Sequence, residues 1–387
     1  MQSNLDNAIE TARKYGRFFC KFLSANDTGL TKAHQEGVLV SVEAWPFLFD
    51  EPGQKGENKE SWIRIHWEDG IPPVESRGIW YGTGTRREYR ITRFWKESPY
   101  NKAEHCGDLL ILVEADKHEF YGFILSTDDD IEEFINFFSL SIVHTSAVYG
   151  LEKDDKPNKL DKLIKGYAND FSDEDDFPAT IELALKAREF YFKLNKKEWS
   201  PDLALLHWID IEYSLFKALE QAIYKPYIET AIGDVEKFID IANSILNRRK
   251  SRAGKSLEHH ADFIFREFDL PFDHPGKTEG NKKPDFLFPS NKYYARDDAN
   301  SSLLTFLGAK TTCKDRWRQI LNEANKIPVK HLLTLQQGIT KNQLQEMKEE
   351  NVVLVVPKPY HNMYPTEYRA DLVDVSTFIG QLMEKYA

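Results

Sequence analysis

Cysteine is scarce in this chain, with only Cys20, Cys106 and Cys313 among 387 residues. The three lie far apart, without a CxxC pair or zinc-ligand spacing. That excludes a disulfide framework and a cysteine-built zinc site, and it leaves reduced thiols. Long apolar runs are missing too; none approaches the roughly 20 residues that a membrane-spanning helix needs. The opening stretch "MQSNLDNAIETARKYGRFF" has no apolar core of a secretory signal, so a cytoplasmic protein without a membrane partner is expected. Internal repeats are absent. Positive charge is not in surplus: 51 Lys and Arg stand against 62 Asp and Glu, a net charge of −11. Taken as a total, this speaks against a nucleic-acid partner, but distribution matters more than the sum. Between Leu246 and Lys330 there are 17 basic against 11 acidic residues, whereas 152–176 holds 5 against 9.

What is present divides the chain in two, as its length also suggests. Up to about residue 150, short β-like runs alternate with turn signals: "WIRIHWE" (Trp62–Glu68), "GIWYG" (Gly78–Gly82), "DLLILVEA" (Asp108–Ala115) and "FYGFILS" (Phe120–Ser126). This pattern predicts a small β-barrel or sandwich. "TDDDIEEFINFFSLSI" follows as one helix capped by Thr127, with acids in its first turn. The charged stretch 151–178 reads as an interdomain linker. From residue 179 the apolar period becomes helical, over Thr180–Leu194, Pro201–Tyr224, Val235–Lys250 and Ser256–Phe268. Four strands come next, "DFLF", "SLLTFLGAK", "KHLLTLQ" and "VVLVVPK", with helices expected at Asp315–Lys326 and Lys341–Glu350. Nearly continuous apolar strands between helices indicate an α/β core buried on both faces.

Two residues at strand ends suggest chemistry. Asp285 follows Pro284 at the head of "DFLF", and Lys310 closes "SLLTFLGAK" 25 residues later. Adjacent strands bring such a pair to one end of a sheet. The carboxylate there offers Mg2+ a hard oxygen ligand, and the lysine orients the attacking water or offsets charge on a phosphate. This is the PD…(D/E)xK arrangement of many DNA nucleases. The acid expected two places before the lysine is missing, because position 308 is Gly. Glu323 lies thirteen residues past Lys310 on the helix expected behind it. Three turns of about 5.4 Å could return its carboxylate to the strand end. Glu258, on the helix opened by "GKSLE", is the other candidate. Lys314, Asp315 and Arg316 crowd behind Lys310. Arg forks onto guanine O6 and N7 and Asp accepts from cytosine N4, so an adjacent Asp-Arg pair suits a C:G pair. Each residue has a plainer explanation, such as a solvent-reaching lysine, a turn-forming Pro-Asp or a helix-start acid. Their order within a basic segment favours the site.

"SILNRRKSRAGKSLE" (Ser244–Glu258), "TEGNKKPDFLFPS" (Thr278–Ser290), "KTTCKDRWRQILNEANKI" (Lys310–Ile327) and "LVVPKPYHNMYP" (Leu354–Pro365) resemble the catalytic domain of EcoRII-type (type IIE) restriction endonucleases. "LSANDTGLTKAHQEG" (Leu23–Gly37) and "RITRFWKESP" (Arg90–Pro99) resemble the effector DNA-binding domain of the same enzymes. The likeness covers most of the chain. It implies an α+β multidomain protein, with a β pseudobarrel over 1–150, a linker over 151–178 and an α/β restriction-endonuclease-like domain over 179–387. It further implies a homodimer that cuts duplex DNA at a CCWGG-type site with Mg2+, paired with a cognate DNA methyltransferase in a prokaryotic cytoplasm. Asp285, Lys310 and Glu323 take the catalytic places, with Glu258 in support and Asp285 and Glu323 as metal ligands. Lys314, Asp315 and Arg316 take the base-reading place. Two arms of the first domain would grip a further copy of the site, through Asn26, Asp27, Thr28 and His34, and through Arg86, Arg87, Glu88, Arg90 and Arg93. The second arm, "GTGTRREYRITR", suits the task bottom-up, with glycines at its tip and four arginines for phosphates and guanines. Enzymes of this type stack flipped-out bases on an arginine and an aromatic of one helix. Here "LHWIDIEYSLF" supplies Tyr213 or Trp208 but not the arginine.

The alternative is a non-catalytic DNA-binding regulator on a retired nuclease fold, and the presence of Asp285, Lys310 and Glu323 stands against it. An RNA-directed nuclease fits less well, since Asp-Arg readout suits the DNA major groove. A hydrolase using Cys313 lacks a histidine placed to activate it.

Overall fold

The computed structural model describes all residues except 1–2, 32–36, 68–70, 145, 151–156, 172–176, 196–198 and 232–234, and except the side chains of 229–231. The first part contains α1 (Asn4–Tyr15), β1 (Phe18–Phe22), β2 (Val38–Val40), β3 (Asn58–His66), β4 (Val74–Tyr81), β5 (Glu88–Thr92), β6 (Leu109–Asp116), β7 (Glu119–Leu125), α2 (Asp128–Phe137) and β8 (Ser146–Tyr149). The strands form one sheet in the order β2-β5-β4-β3-β7-β6-β1-β8. Every pairing is antiparallel except β3–β7. The sheet curls into a near-barrel, and the two-residue period of its strands decides which face each side chain fills. Leu110 and Leu112 of β6 join Phe19 of β1 in the inner core. Leu109, Ile111 and Val113 point the other way, onto α1 and α2 with Phe18, Cys20 and Ile131. Thr127 caps α2 by accepting from the Asp130 amide, and three aspartates occupy its first turn, as the sequence predicts.

The second part contains α3 (Lys159–Asn169), α4 (Thr180–Leu194), α5 (Pro201–Ala231), α6 (Val235–Glu267), β9 (Phe286–Phe288), α7 (Asn291–Tyr294), β10 (Thr305–Lys310), β11 (Lys330–Thr334), α8 (Lys341–Glu349), β12 (Val352–Val355) and α9 (Val375–Tyr386). Its sheet runs β12-β11-β10-β9, with β9–β10 antiparallel and the other two pairings parallel. The central strand β10 is buried from Thr305 to Ala309, and only Lys310 emerges. The α/β expectation therefore holds, and the strand ends where its lysine meets solvent.

Three local expectations are revised. Within the stretch taken as a linker, the described part 157–171 holds α3, closed by a reciprocal Asn158–Asp161 cap. Its Leu160, Leu163, Ile164 and Tyr167 pack on Ala187 and Phe190 of α4 and on Ile211 and Leu215 of α5. That apolar face has helical spacing, but the lysines and aspartates between its members hide it in the sequence. The helices expected over Val235–Lys250 and Ser256–Phe268 are one 33-residue helix, α6. Gly254 costs about 1 kcal/mol there relative to alanine, and burial of Leu257, Ala261, Ile264 and Phe265 further along the helix offsets it. The α-helix expected over Asp315–Lys326 is a 3-10 segment, Arg316–Asn322, with Glu323 just past its end. Buried Trp317 and Ile320 fix it, and they are three apart, the spacing of a 3-10 face.

Candidate active site and DNA-reading surfaces

Asp285 stands immediately before β9, and Lys310 is the last residue of β10. The β9–β10 ladder runs to the Phe286–Leu307 rung. Beyond it the Asp285 carboxylate takes over, and its Oδ2 accepts the Ala309 amide proton at 2.7 Å. The side chain thereby closes the sheet end and is held beside the lysine. A side chain at Gly308 would be crowded: a Cβ there would stand 3.0 Å from Ile320 Cγ2 of the 3-10 segment, which would have to shift by a few tenths of an ångström.

Glu323 fills the electrostatic gap. Burial raises its pKa, and so does the charge of Asp285, while Lys310, Lys282 and Lys330 pull it down. Glu258 of α6 behaves alike: burial and then Asp285 raise it, while His274, Lys255 and Lys310 lower it. Asp285 at a strand start and Lys310 at a strand end thus both act electrostatically on Glu323, in a loop, and on Glu258, on a helix. The loop is fixed by its main chain. Lys330, buried on β11, donates to the carbonyls of Glu323 and Ala324, and Lys282 donates to the carbonyl of Asn322. Burial also draws Lys330 down to about 8. Ala324 has φ +50°, a left-handed turn that swings the chain away after Glu323.

Among the described residues, no three His, Cys, Asp or Glu side chains converge closely enough to hold a metal ion. The donor chemistry nevertheless suits Mg2+. The donors are hard carboxylate oxygens, two of which rise in pKa because of burial and a neighbouring negative charge. A divalent cation among them would relieve both effects. Glu323→Ala should therefore slow cleavage as severely as loss of Asp285, with Glu323→Asp restoring only part of the rate in single-turnover assays. A near-native Glu323→Ala rate would move the role to Glu258.

The three charged residues behind Lys310 are not free in this state; they are bound by the first domain. The main-chain amides of Lys314, Asp315 and Arg316 donate to the Asp128 carboxylate at 3.1, 3.0 and 3.0 Å. Burial, then the adjoining Asp315, pushes Asp128 up to about 6. Arg316 is clasped by Asp129 and Glu132 of α2, and its pKa rises. Lys314 is buried against Asp108, and burial pulls it down to about 8. Around this contact, Gln336 donates to the Gly107 carbonyl at 2.9 Å, and Gln337 donates to the carbonyls of Ile142 and His144 at 2.9 and 3.1 Å.

The arms are mixed. Arg86, Arg87 and Arg93 are exposed, and Asn26 and Glu88 half-buried. Asp27, Thr28 and Arg90 are inside the fold and are corrected from DNA contacts to arm-shaping residues. Asp27 forms an ion pair with buried Lys21 at 2.8 Å, Thr28 bonds the Ser24 carbonyl at 3.1 Å, and Arg90 bonds Glu88 at 3.0 Å. His34 lies outside the described residues. Trp208 is also corrected: it is fully buried among Tyr191, Trp199 and Phe263, with no face to offer a base. Tyr213 is different. It lines a small cavity of about 20 Å3 between the domains, next to Thr311 and Leu335. The guanidinium of Arg252 lies 5.2 Å from its ring centre. Arg252 went unnoticed in the sequence because it comes from α6 rather than from the helix of Tyr213, and no spacing pattern links them. His274 and Asp128 were missed for the same reason.

A sheet-end aspartate and lysine with a displaced acid, joined to a near-barrel domain, match the layout of a two-domain restriction endonuclease, a DNA nuclease by class. Sequence comparison gives the lineage. A profile described as "EcoRII C terminal" matches residues 216–379, and one described as "Restriction endonuclease EcoRII, N-terminal" matches 12–154. Type II restriction enzyme EcoRII of Escherichia coli is 36% identical over 392 residues, covering 95% of this chain and 94% of that one. The chain belongs to the EcoRII family of type II restriction enzymes. Type II restriction enzyme SsoII of Shigella sonnei is 29% identical over 126 residues, 30% of this chain and 40% of that one. Among solved structures, a PspGI–substrate DNA complex aligns with TM-score 0.45 and 15% identity over 54% of this chain and 93% of that one. Metal-depleted Ecl18kI with uncleaved, modified DNA aligns at 0.44 and 19% identity over 59% and 84%. Among the described residues, no helix is long and apolar enough to cross a membrane.

Proposed function

We propose that this protein is a type IIE enzyme that hydrolyses duplex DNA at a CCWGG-like site, as a homodimer, and that a further copy of the site bound at the N-terminal domain activates it. The observation that carries the reading is that Asp285 and Lys310, at one sheet end, both act on the electrostatics of Glu323 and of Glu258. Asp285 and Glu323, with Glu258 in support, would hold Mg2+, which when bound supplies Lewis-acid activation of the scissile phosphate. Lys310 offsets the charge that builds on the phosphate oxygens and orients the attacking water. Arg316 and Asp315 address a C:G pair in the major groove once they are free of α2. Tyr213, with Arg252 over its ring, offers an aromatic and a guanidinium face to a base from the site's centre. The exposed arginines of the second arm grip the effector copy. A cognate methyltransferase protects the host's own sites, and the enzyme works in the cytoplasm.

The test is digestion of a plasmid of known sequence with Mg2+, followed by sequencing of the ends. The expected result is cuts confined to CCWGG-like sites. DNA that is bound specifically but never cut would favour the regulator instead. In the same assay, on a fragment lacking the N-terminal domain, Arg316→Ala should cost about 1–3 kcal/mol of discrimination at a G:C pair. Equal weakening on all sequences would make Arg316 a phosphate contact only.

A further inference from the structure

We infer that His274 is a positioning residue of the candidate active site, one imidazole that sets Asp285 and Glu258 relative to each other; this rests on the nuclease reading above. His274 follows α6 in a segment laced onto β9 by its main chain. Asp273 and Leu287 exchange amide–carbonyl bonds of 3.0 and 3.1 Å, and the Gly276 amide donates to the Pro284 carbonyl at 2.7 Å. The ring lies flat on Phe286, with centroids 4.5 Å apart and planes within 17°. Its Nδ1 is 2.7 Å from the main-chain oxygen of Asp285. A carbonyl only accepts, so Nδ1 carries the hydrogen and the ring's other nitrogen is left to face the site. That nitrogen, Nε2, stands 3.8 Å from Glu258 Oε2, with the two side chains 15% and 22% exposed.

Asp285 is thereby pinned at both ends. Its carboxylate takes the Ala309 amide, and its carbonyl takes His274. Glu258 belongs to a helix with no main-chain tie to β9, and His274 is the group that spans the interval. The 3.8 Å separation exceeds a direct hydrogen bond but lies within ion-pair reach. In metal sites, loss of a group that orients the ligands in this way typically costs about 10–100-fold in affinity or activity.

The experiment compares wild type, His274→Ala, His274→Asn and Asp285→Ala as full-length proteins. Four quantities are read: single-turnover cleavage in Mg2+, specific duplex binding in Ca2+, Mn2+ affinity of the complex with an uncleavable duplex, and melting temperature. His274→Ala should lower both cleavage and Mn2+ affinity about 10–100-fold while leaving duplex binding unchanged. His274→Asn, whose side-chain N–H still reaches the Asp285 carbonyl but which places no atom where Nε2 faces Glu258, should restore only part of both. Unchanged cleavage and Mn2+ affinity in His274→Ala would overturn the inference. So would a parallel fall of duplex binding and melting temperature that asparagine does not repair. If wild type itself fails to cut, the nuclease reading has failed, and the Mn2+ affinities still decide whether His274 arranges the carboxylates.

Discussion

Asp285→Asn and Lys310→Ala should each abolish cleavage while leaving specific duplex binding in Ca2+ intact. Loss of several kcal/mol of transition-state stabilisation, at about 1.4 kcal/mol per factor of ten, amounts to about a thousandfold or more in single-turnover rate. Asparagine is the sharper probe at 285. Its side-chain oxygen still accepts the Ala309 amide proton that Asp285 Oδ2 now takes at 2.7 Å, so the sheet end stays closed and only the charge is lost. Alanine would also leave that amide without its partner, mixing a folding cost into the measurement. Lys310 carries no such structural bond and emerges from an otherwise buried strand, so its truncation reads on chemistry alone. Rapid cutting by either variant would remove the pair from the mechanism.

The second large effect concerns the contact between the domains. The residues proposed to read the C:G pair are bound to the N-terminal domain: Arg316 to Asp129 and Glu132, Lys314 to Asp108, and the amides of 314–316 to Asp128. DNA and α2 therefore compete for the same donors. Removing one partner of a buried ion pair costs about 3–5 kcal/mol, because the survivor is left charged and dry. Asp108→Asn would place that cost on the closed arrangement, since separation returns Lys314 to water, while the amide oxygen can still accept from Ser126, which Asp108 Oδ2 bonds beside His105 within its own domain. The full-length variant should cut a one-site duplex at least about tenfold faster than wild type, the fold-change of only about 1.4 kcal/mol. Cleaving the chain within 151–156 should have the same result. The cut belongs there rather than nearer 178, because α3 packs on α4 and α5 and must stay with the catalytic part. Wild-type protein should cut the one-site duplex slowly and be rescued by an uncleavable duplex bearing the site. If the released fragment is slower on one-site DNA and no added duplex helps, the N-terminal domain contributes affinity only.

What could be read without coordinates was what lies close along the chain. The alternation in "DLLILVEA" divides β6 between two cores, Thr127 and its three aspartates announce α2, and the apolar run ending on Lys310 marks both β10 and its emergence at the site. Strand and helix periods are local consequences of backbone geometry, so they survive in one dimension. The family likeness rests on such stretches too. The three-dimensional fold alone decided the rest. Glu323 feels the charge of Asp285 not from an α-helix but from the end of a 3-10 segment anchored by Lys330 and Lys282. Arg252 meets Tyr213 from a different helix. Asp128 meets residues 186 to 188 positions away. Such contacts depend on how whole elements pack, a sum over many weak interactions that no short pattern encodes. A buried Asp27 and an exposed Arg86 therefore look alike in the sequence, though only the second is free to meet DNA.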